Sequence, residues 1–284
     1  MTVLGGDQRS LELAKLCAED YDVTIYGFDG LETLKHINMA RDLQEALKET
    51  TFIIGPLPFQ DQDGNLNTPL CSDDIELETV MKQLTDKQWL FGGSIDEQWM
   101  NLAKKYRVNI IDYFKQEQLQ VLNAIPTAEG AIQIAMETMN ITLHDANVMV
   151  LGFGRVAKTV AQMLHGIGAR VYIGARNAAQ LAWTTVSRYE AIPLKEIDRY
   201  LKNMDLIINT IPARVLDKEK LSVIEPDTLI IDLASHPGGV DVAFAKKRGI
   251  HVNWALALPG KVAPVSAASY IKKTIDDIIF NLEV

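Results

Sequence analysis

Short apolar runs, each followed by a stretch with helical spacing, recur along almost the whole chain. This pattern constrains the fold more than any other feature. The first set is Thr2-Val3-Leu4, Val23–Tyr26, Thr51–Ile54, Trp89–Phe91 and Val108–Ile111. The second is Val148–Leu151, Arg170–Ile173, Leu206–Ile208, Leu229–Ile231 and His251–Asn253. Runs this short and this continuously apolar read as strands covered on both faces, which is the condition of a parallel sheet. Strands that alternate with helices build βαβ units and a three-layer α/β architecture.

Two sets of runs in 284 residues predict two domains. Between them lies a helical stripe from about Thr127 to Met139, with apolar positions at Ala128, Ala131, Ile132, Ala135, Met136 and Met139. The pattern places its start at Pro126-Thr127, with Thr127 as N-cap and Glu129 in the first turn. A second long helix is predicted from Ala267 to Leu282 on the spacing of Ile271, Ile275, Ile278, Ile279 and Leu282. The expected division is a substrate-binding α/β domain over 1–123, completed by a C-terminal helix at 264–284. An inter-domain helix over 124–141 and a dinucleotide-binding Rossmann domain over 142–263 follow. The fold class expected is thus α/β, with two Rossmann-like domains of parallel strands joined by crossing helices. An inter-domain cleft would then be the natural ligand site.

Composition excludes several functions. The chain is 48% hydrophobic, 23% charged and carries a net charge of −9, which argues against a nucleic-acid surface. Cys17 and Cys71 are the only cysteines; they make neither a disulfide framework nor a C-x-x-C pair, and a reducing cytoplasm is the expected compartment. No apolar run is long enough to span a bilayer, and no signal peptide is visible at Met1–Asp7.

The strongest local signal is Val148-Met149-Val150-Leu151-Gly152-Phe153-Gly154-Arg155-Val156-Ala157, a G-x-G-x-x-A between an apolar run and a helical pattern. Gly152 permits the tight turn, Gly154 admits a diphosphate to the backbone, and Ala157 lets helix and sheet pack closely. Arg155 and Val156 open the helix, whose first N–H groups and dipole favour phosphate. The helix is expected to end at Gly166 or Gly168. The alternative is a glycine turn that only closes a βα unit. An NAD site carries Asp or Glu about 20 residues beyond the glycines. Here the next strand ends Gly174-Ala175-Arg176-Asn177, with Arg176 22 positions after Gly154 and no carboxylate. A guanidinium there suits the 2′-phosphate of NADP; otherwise Arg176 is a solvated strand-end residue. Asn177 is grouped with it. Two later strand ends, Asn209-Thr210-Ile211-Pro212 and Asp232-Leu233-Ala234-Ser235, are expected to bring Thr210, Ile211, Pro212, Ala234 and Ser235 to the nicotinamide half.

In sequence order these motifs join Gly5-Gly6-Asp7-Gln8-Arg9, Asn123-Ala124-Ile125-Pro126-Thr127-Ala128-Glu129-Gly130, His236-Pro237-Gly238-Gly239 and Leu258-Pro259-Gly260-Lys261-Val262-Ala263-Pro264. As a set they resemble the dipicolinate synthase A-chain family, that of the enzyme's A subunit, over nearly the full length. The architecture is also similar to alanine dehydrogenases and D-2-hydroxyacid dehydrogenases. The resemblance implies NADP-dependent oxidation of a dihydrodipicolinate-type intermediate, derived from 4-hydroxy-tetrahydrodipicolinate, to dipicolinate. It further implies a partner, a flavoprotein-like B subunit, in the cytoplasm of a spore-forming bacterium. The one departure is Ala157 at the third glycine position, which the fingerprint tolerates.

A small dicarboxylate needs cations, hydroxyls or helix N-termini. The substrate-side candidates are Arg9, as carboxylate anchor or ion-pair residue, and Thr127, as hydroxyl donor. Glu129 is either a base or a residue favouring the helix dipole. Lys261 is a second cation, with Ser94 and His236 weaker. His36, His144, His165 and His251 lack a partner pattern and read as structural or surface residues. No metal site is expected: there is no H-x-x-H, and Asp61-Gln62-Asp63-Gly64-Asn65 lacks the twelfth-position Glu of a calcium loop, having Ser72 there. Two other functions remain open: another NAD(P)-dependent dehydrogenase of small carboxylates, and a non-catalytic NADP-binding subunit. Homo-oligomerisation is expected without a subunit count.

Overall fold

The structure is a computed structural model that describes residues 1–30 and 34–282. Its chain forms two compact units. One comprises Met1–Asn123 and the chain from Ala263 on; the other is Ala124–Val262. The first holds β1 (Thr2–Leu4), β2 (Val23–Tyr26), β3 (Ile37–Met39), β4 (Phe52–Ile54), β5 (Trp89–Gly92) and β6 (Asn109–Asp112). The second holds β7 (Asn147–Leu151), β8 (Arg170–Ala175), β9 (Glu190–Pro193), β10 (Leu206–Asn209), β11 (Leu229–Asp232) and β12 (His251–Trp254). Every pairing is parallel. The orders are β3-β2-β1-β4-β5-β6 and β12-β11-β10-β7-β8-β9. Both are the doubly wound dinucleotide-fold order, and each reverses direction beside its first strand, between β1 and β4 and between β7 and β10.

The inner strands are the apolar runs of the sequence. Val148 to Leu151, Leu206 to Ile208, Ile230 and Ile231 are fully buried, as strands between two helical layers must be. The two strands that the sequence pattern does not reveal, β3 and β9, are the third strand of their units and lie at sheet edges. Only Ile37 is buried in β3 and only Ile192 in β9, so neither shows an apolar run. Pro193 ends β9 at an edge, where no further strand needs its N–H.

The predicted inter-domain helix is real but begins earlier. It runs Glu117–Thr138 with Pro126 inside it. Thr127 is therefore no N-cap, and Glu129 lies well past the first turn. A proline forfeits one helical hydrogen bond and ordinarily ends a helix, which is why Pro126 reads as a start. Here the turns before it, Glu117-Gln118-Leu119-Gln120-Val121-Leu122, are rich in strong helix formers. Burial fixes both halves: Leu119 enters the core of the first unit, and Ala128, Ala131 and Ala135 enter that of the second. Of the two glycines proposed to end the helix after the glycine turn, Gly168 does so, with φ +97.

The C-terminal helix runs Pro264–Asn281 and starts with a proline in its first turn, where no N–H is missed. Residues 283–284 of the expected 264–284 segment lie outside the described residues. The helix packs on Gln8–Cys17, with Ala268, Ile271 and Ile275 against Leu13, Ala14 and Cys17 in one cluster. Lys272 clips this contact, donating to Asp20 at 2.6 Å and Asp276 at 2.8 Å. Burial works to lower the Lys272 ammonium pKa, but the two carboxylates together outweigh it and hold it above the ordinary lysine value. Both cysteines are free thiols. Burial pushes the Cys17 thiol up to about 12, and it is 1% exposed.

Two outcomes follow from this packing. Lys272→Met should lower unfolding free energy at pH 7 by about 1 kcal/mol in a denaturant titration. Because the ammonium pKa is raised on folding, the stabilisation is full below the ordinary lysine value of 10.5. Above that pH the gap between variant and wild type should therefore shrink. In a thiol titration of native protein, half-exposed Cys71 should react and Cys17 only after denaturant is added; equal rates would contradict the packing described.

Candidate functional site

At the end of β7 the chain turns through Gly152, whose φ is +104. Its N–H donates to the Gly174 carbonyl at 2.8 Å. A Cβ at this position would lie 2.4 Å from Thr210 Oγ1, and that hydroxyl is itself fixed by donating to the Leu151 carbonyl at 2.8 Å. Gly152 is thus required by both conformation and contact. Gly154 is different. It is the N-cap of Arg155–Ile167, has extended backbone and gives the helix no side-chain cap. A Cβ there would meet nothing within 4 Å. The first turn of this thirteen-residue helix thus begins at an N-cap with no side chain and with open space around it. Arg155 and Val156 are its first two residues, and Ala157 is fully buried. Backbone donors plus a helix dipole form a cradle suited to an anionic diphosphate.

At the end of β8, Arg176 is exposed and makes no ion pair among the described residues. Asn177 serves the local structure, because its side chain caps Ala178–Val186, accepting from the Gln180 N–H at 2.7 Å. Thr210, Ile211 and Pro212 follow β10, and Ala234 and Ser235 follow β11. These two loops hang from a buried pair whose structural part the sequence does not announce. Asn209 and Asp232 are 0% and 1% exposed. Asn209 Nδ2 donates to Asp232 at 2.8 Å and to the Ile211 carbonyl at 3.0 Å, and its Oδ1 accepts from the Ile211 N–H at 3.1 Å. Asp232 also accepts from the N–H groups of Ala234 at 3.1 Å and Gly239 at 2.8 Å.

At the matching point of the first unit, a loop of its own chain packs against the glycine turn. Thr68 Cγ2 would lie 2.3 Å from a Cβ on Gly5. The Leu70 carbonyl accepts from the Asp29 N–H at 2.8 Å, and the Asp29 carboxylate accepts from the Ser72 N–H at 2.6 Å. Arg9 is 4% exposed and clamped by Asp7, which takes bonds from its Nε at 3.0 Å and its Nη2 at 2.8 Å. Nη2 also donates to the Leu57 carbonyl. Of the two roles left open for Arg9, ion pairing is therefore observed; Nη1 alone is left with no partner among the described residues. Asp7 is also the N-cap of Gln8–Cys17, a role that its type before a helical pattern could have revealed. Tyr113, pushed well above its ordinary pKa by burial, donates to the Gly55 carbonyl at 3.1 Å. Ser94 sits after β5 with φ 59, and its N–H donates to Asp112 at 2.9 Å. Arg9 and Ser94 thus flank one loop at the carboxyl ends of β1, β4 and β5.

In the second unit, Thr127 and the exposed Glu129 lie inside their helix. Next to them, Gly130 packs on Leu258, 3.1 Å from an added Cβ. Lys261 is exposed in the short helix Leu258–Val262. The His236 ring meets Trp254 edge-on at 4.5 Å, and Trp254 Nε1 donates to the Ala234 carbonyl at 2.8 Å. His165 contacts Tyr189 in the same way at 5.5 Å. The Asp61 turn is closed by its own carboxylate, which accepts from the N–H groups of Asp63 and Asn65. Among the described residues no helix is long and apolar enough to cross a membrane.

Two doubly wound sheets, one carrying an open glycine turn and an uncapped helix, define the architecture of a nicotinamide-dependent oxidoreductase of the dehydrogenase type. A family model for shikimate / quinate 5-dehydrogenase matches residues 133–253, and one for the N-terminal domain of the dipicolinate synthase A subunit matches residues 1–114. The dipicolinate synthase A subunit of Bacillus subtilis (strain 168) is 31% identical over 286 residues, spanning 100% of this chain and 96% of that protein. This chain belongs to the dipicolinate synthase A-chain family. The crystal structure of the Bacillus subtilis A chain superposes with a TM-score of 0.87, covering 99% of this chain and 96% of that one. The corresponding chain of Bacillus halodurans gives 0.87 at 31% identity, covering 98% and 96%. An L-alanine dehydrogenase, 16% identical with a TM-score of 0.65 and coverage of 100% and 90%, shares the fold.

The two glycines should separate on substitution. Gly152→Ala should lower stability by about 1–3 kcal/mol, since a side chain there collides and the backbone is left-handed. Gly154→Ala should leave the melting temperature unchanged yet weaken dinucleotide binding by calorimetry at least about tenfold, because its methyl enters the space a diphosphate would use.

Proposed function

We propose that the chain oxidises a dihydrodipicolinate-type intermediate, formed by water loss from 4-hydroxy-tetrahydrodipicolinate, to dipicolinate with NADP. It would act as the A subunit of a cytoplasmic dipicolinate synthase in a sporulating cell, beside a flavoprotein-like B subunit. The observation that carries this reading is the glycine turn with open space at Gly154, in a chain 31% identical over its whole length to a dipicolinate synthase A subunit. Bound NADP would accept the hydride from a dihydropyridine carbon, while the ring loses a proton and becomes aromatic. The chain's own contribution is to grip, align and keep water out.

In this reading the backbone from Gly152 to Val156 holds the diphosphate, and Arg176, with no carboxylate nearby in sequence, takes the 2′-phosphate. Asn177 contributes chiefly by capping the helix beside it. The loops Thr210–Pro212 and Ala234–Ser235 border the nicotinamide half. On the substrate side, Arg9 Nη1 in the first unit and Lys261 in the second are each a candidate carboxylate receptor. Ser94 in the first unit and Thr127 and His236 in the second are further polar candidates, and Glu129 is the candidate proton acceptor. We further propose that the protein self-associates.

Arg176→Ala should weaken NADP by about tenfold or more while leaving NAD within about twofold; equal weakening in calorimetry would exclude the 2′-phosphate role. Purified chain with freshly generated hydroxytetrahydrodipicolinate should reduce NADP, followed by the absorbance of the reduced nicotinamide. Binding of NADP with no turnover, even when the B subunit is supplied, would instead mark a non-catalytic nucleotide-binding subunit.

A further inference from the structure

The strands that continue the second sheet past its point of reversal, β10 and β11, end on a buried amide and a buried carboxylate. Asp232 forms no salt bridge among the described residues, although it is 1% exposed. Its oxygens are held instead by Asn209 Nδ2 and by the N–H groups of Ala234 and Gly239, at 2.8, 3.1 and 2.8 Å. Asn209 in turn grips both backbone groups of Ile211. Space around the pair is fully used: a Cβ on Gly239 would stand 2.1 Å from Asn209 Nδ2 and 2.8 Å from the Ile211 carbonyl. A buried carboxylate satisfied only by neutral donors is costly unless every bond is kept, so each group locks the others.

In a doubly wound sheet a dinucleotide straddles the reversal. The turns after β7 and β8 then receive the adenosine and diphosphate. The turns after β10 and β11 receive the other end. The side-chain bonds of the pair go only to the latter two turns, and its side chains are too deeply buried to reach a ligand. We propose that Asn209 and Asp232 are positioning residues for the nicotinamide-ribose end of the cofactor, acting through the backbone of Thr210–Pro212 and Ala234–Gly239. This rests on the dinucleotide reading of the second unit and goes beyond it, by assigning the shape of the nicotinamide-side turns to one buried pair.

The test compares two ligands by calorimetry on the full chain: NADP, and adenosine 2′,5′-bisphosphate, which lacks the nicotinamide end. In Asn209→Ala, NADP should bind about tenfold or more weakly, while the fragment keeps its wild-type affinity within about twofold. Unchanged fragment binding also certifies a folded variant. If Asn209→Ala does not fold, the isosteric Asp232→Asn is read in the same way, since it trades one acceptor facing an N–H for a donor. Equal weakening of both ligands would reduce the pair to a general structural role and overturn the proposal. Unchanged NADP affinity in the folded variant would overturn it as well. Wild-type protein that binds neither ligand would defeat the dinucleotide reading itself, a failure visible before any substitution is made.

Discussion

The close approach of three strand ends around Gly152 is the contact on which the second unit depends. Leu151 offers its carbonyl to Thr210, Gly152 donates its N–H to Gly174, and the Thr210 hydroxyl fills the space a side chain at 152 would need. The sheet fixes the register of all three, since Leu151 is paired with both Gly174 and Asn209. Where the following helix begins is set by that contact, and the direction of its first N–H groups goes with it. Two residues later the requirement relaxes completely, at Gly154. Steric demand at one glycine and open space at the next are what distinguish a ligand cradle from a turn that merely changes direction.

The first unit is an internal comparison. It has the same strand order and its own glycines after β1, yet a loop of the same chain, Leu66 to Ser72, packs against Gly5 and bonds to Asp29. Its arginine is neutralised by Asp7 two residues away. One topology thus presents two different turns after the first strand: open space at Gly154 in one unit, and a loop of the same chain packed against Gly5 in the other. Fold alone does not say which; the contacts at Gly5 and at Gly154 do.

Much of this architecture is legible in the residues alone. The eight inner strands are apolar runs because both sheet faces are covered, and the glycine turn declares itself through its spacing. What the sequence hides has specific causes. The edge strands β3 and β9 bury one side chain each and so show no run. Pro126 looks like a helix start because the local rule for proline is strong; only the burial of Leu119 and of the alanines from 128 to 135 in separate cores overrides it. At the site, Arg9 and Asn177 are legible as chemistry but not as partners, because neither the Asp7 clamp nor the Gln180 cap announces which role wins. Asn209 and Asp232 are visible only as polar residues ending apolar runs. Their mutual bond joins positions 23 apart in sequence, and nothing local encodes it.

The helix Pro264–Asn281 belongs to the core of the first unit although the entire second unit is encoded before it. During translation, residues 124–262 are a contiguous segment that can collapse as soon as it emerges. The earlier-made portion must wait, its face of Leu13, Ala14 and Cys17 uncovered, until Ala268, Ile271 and Ile275 leave the ribosome. The core of the first unit is therefore closed only by residues encoded after the whole of the second.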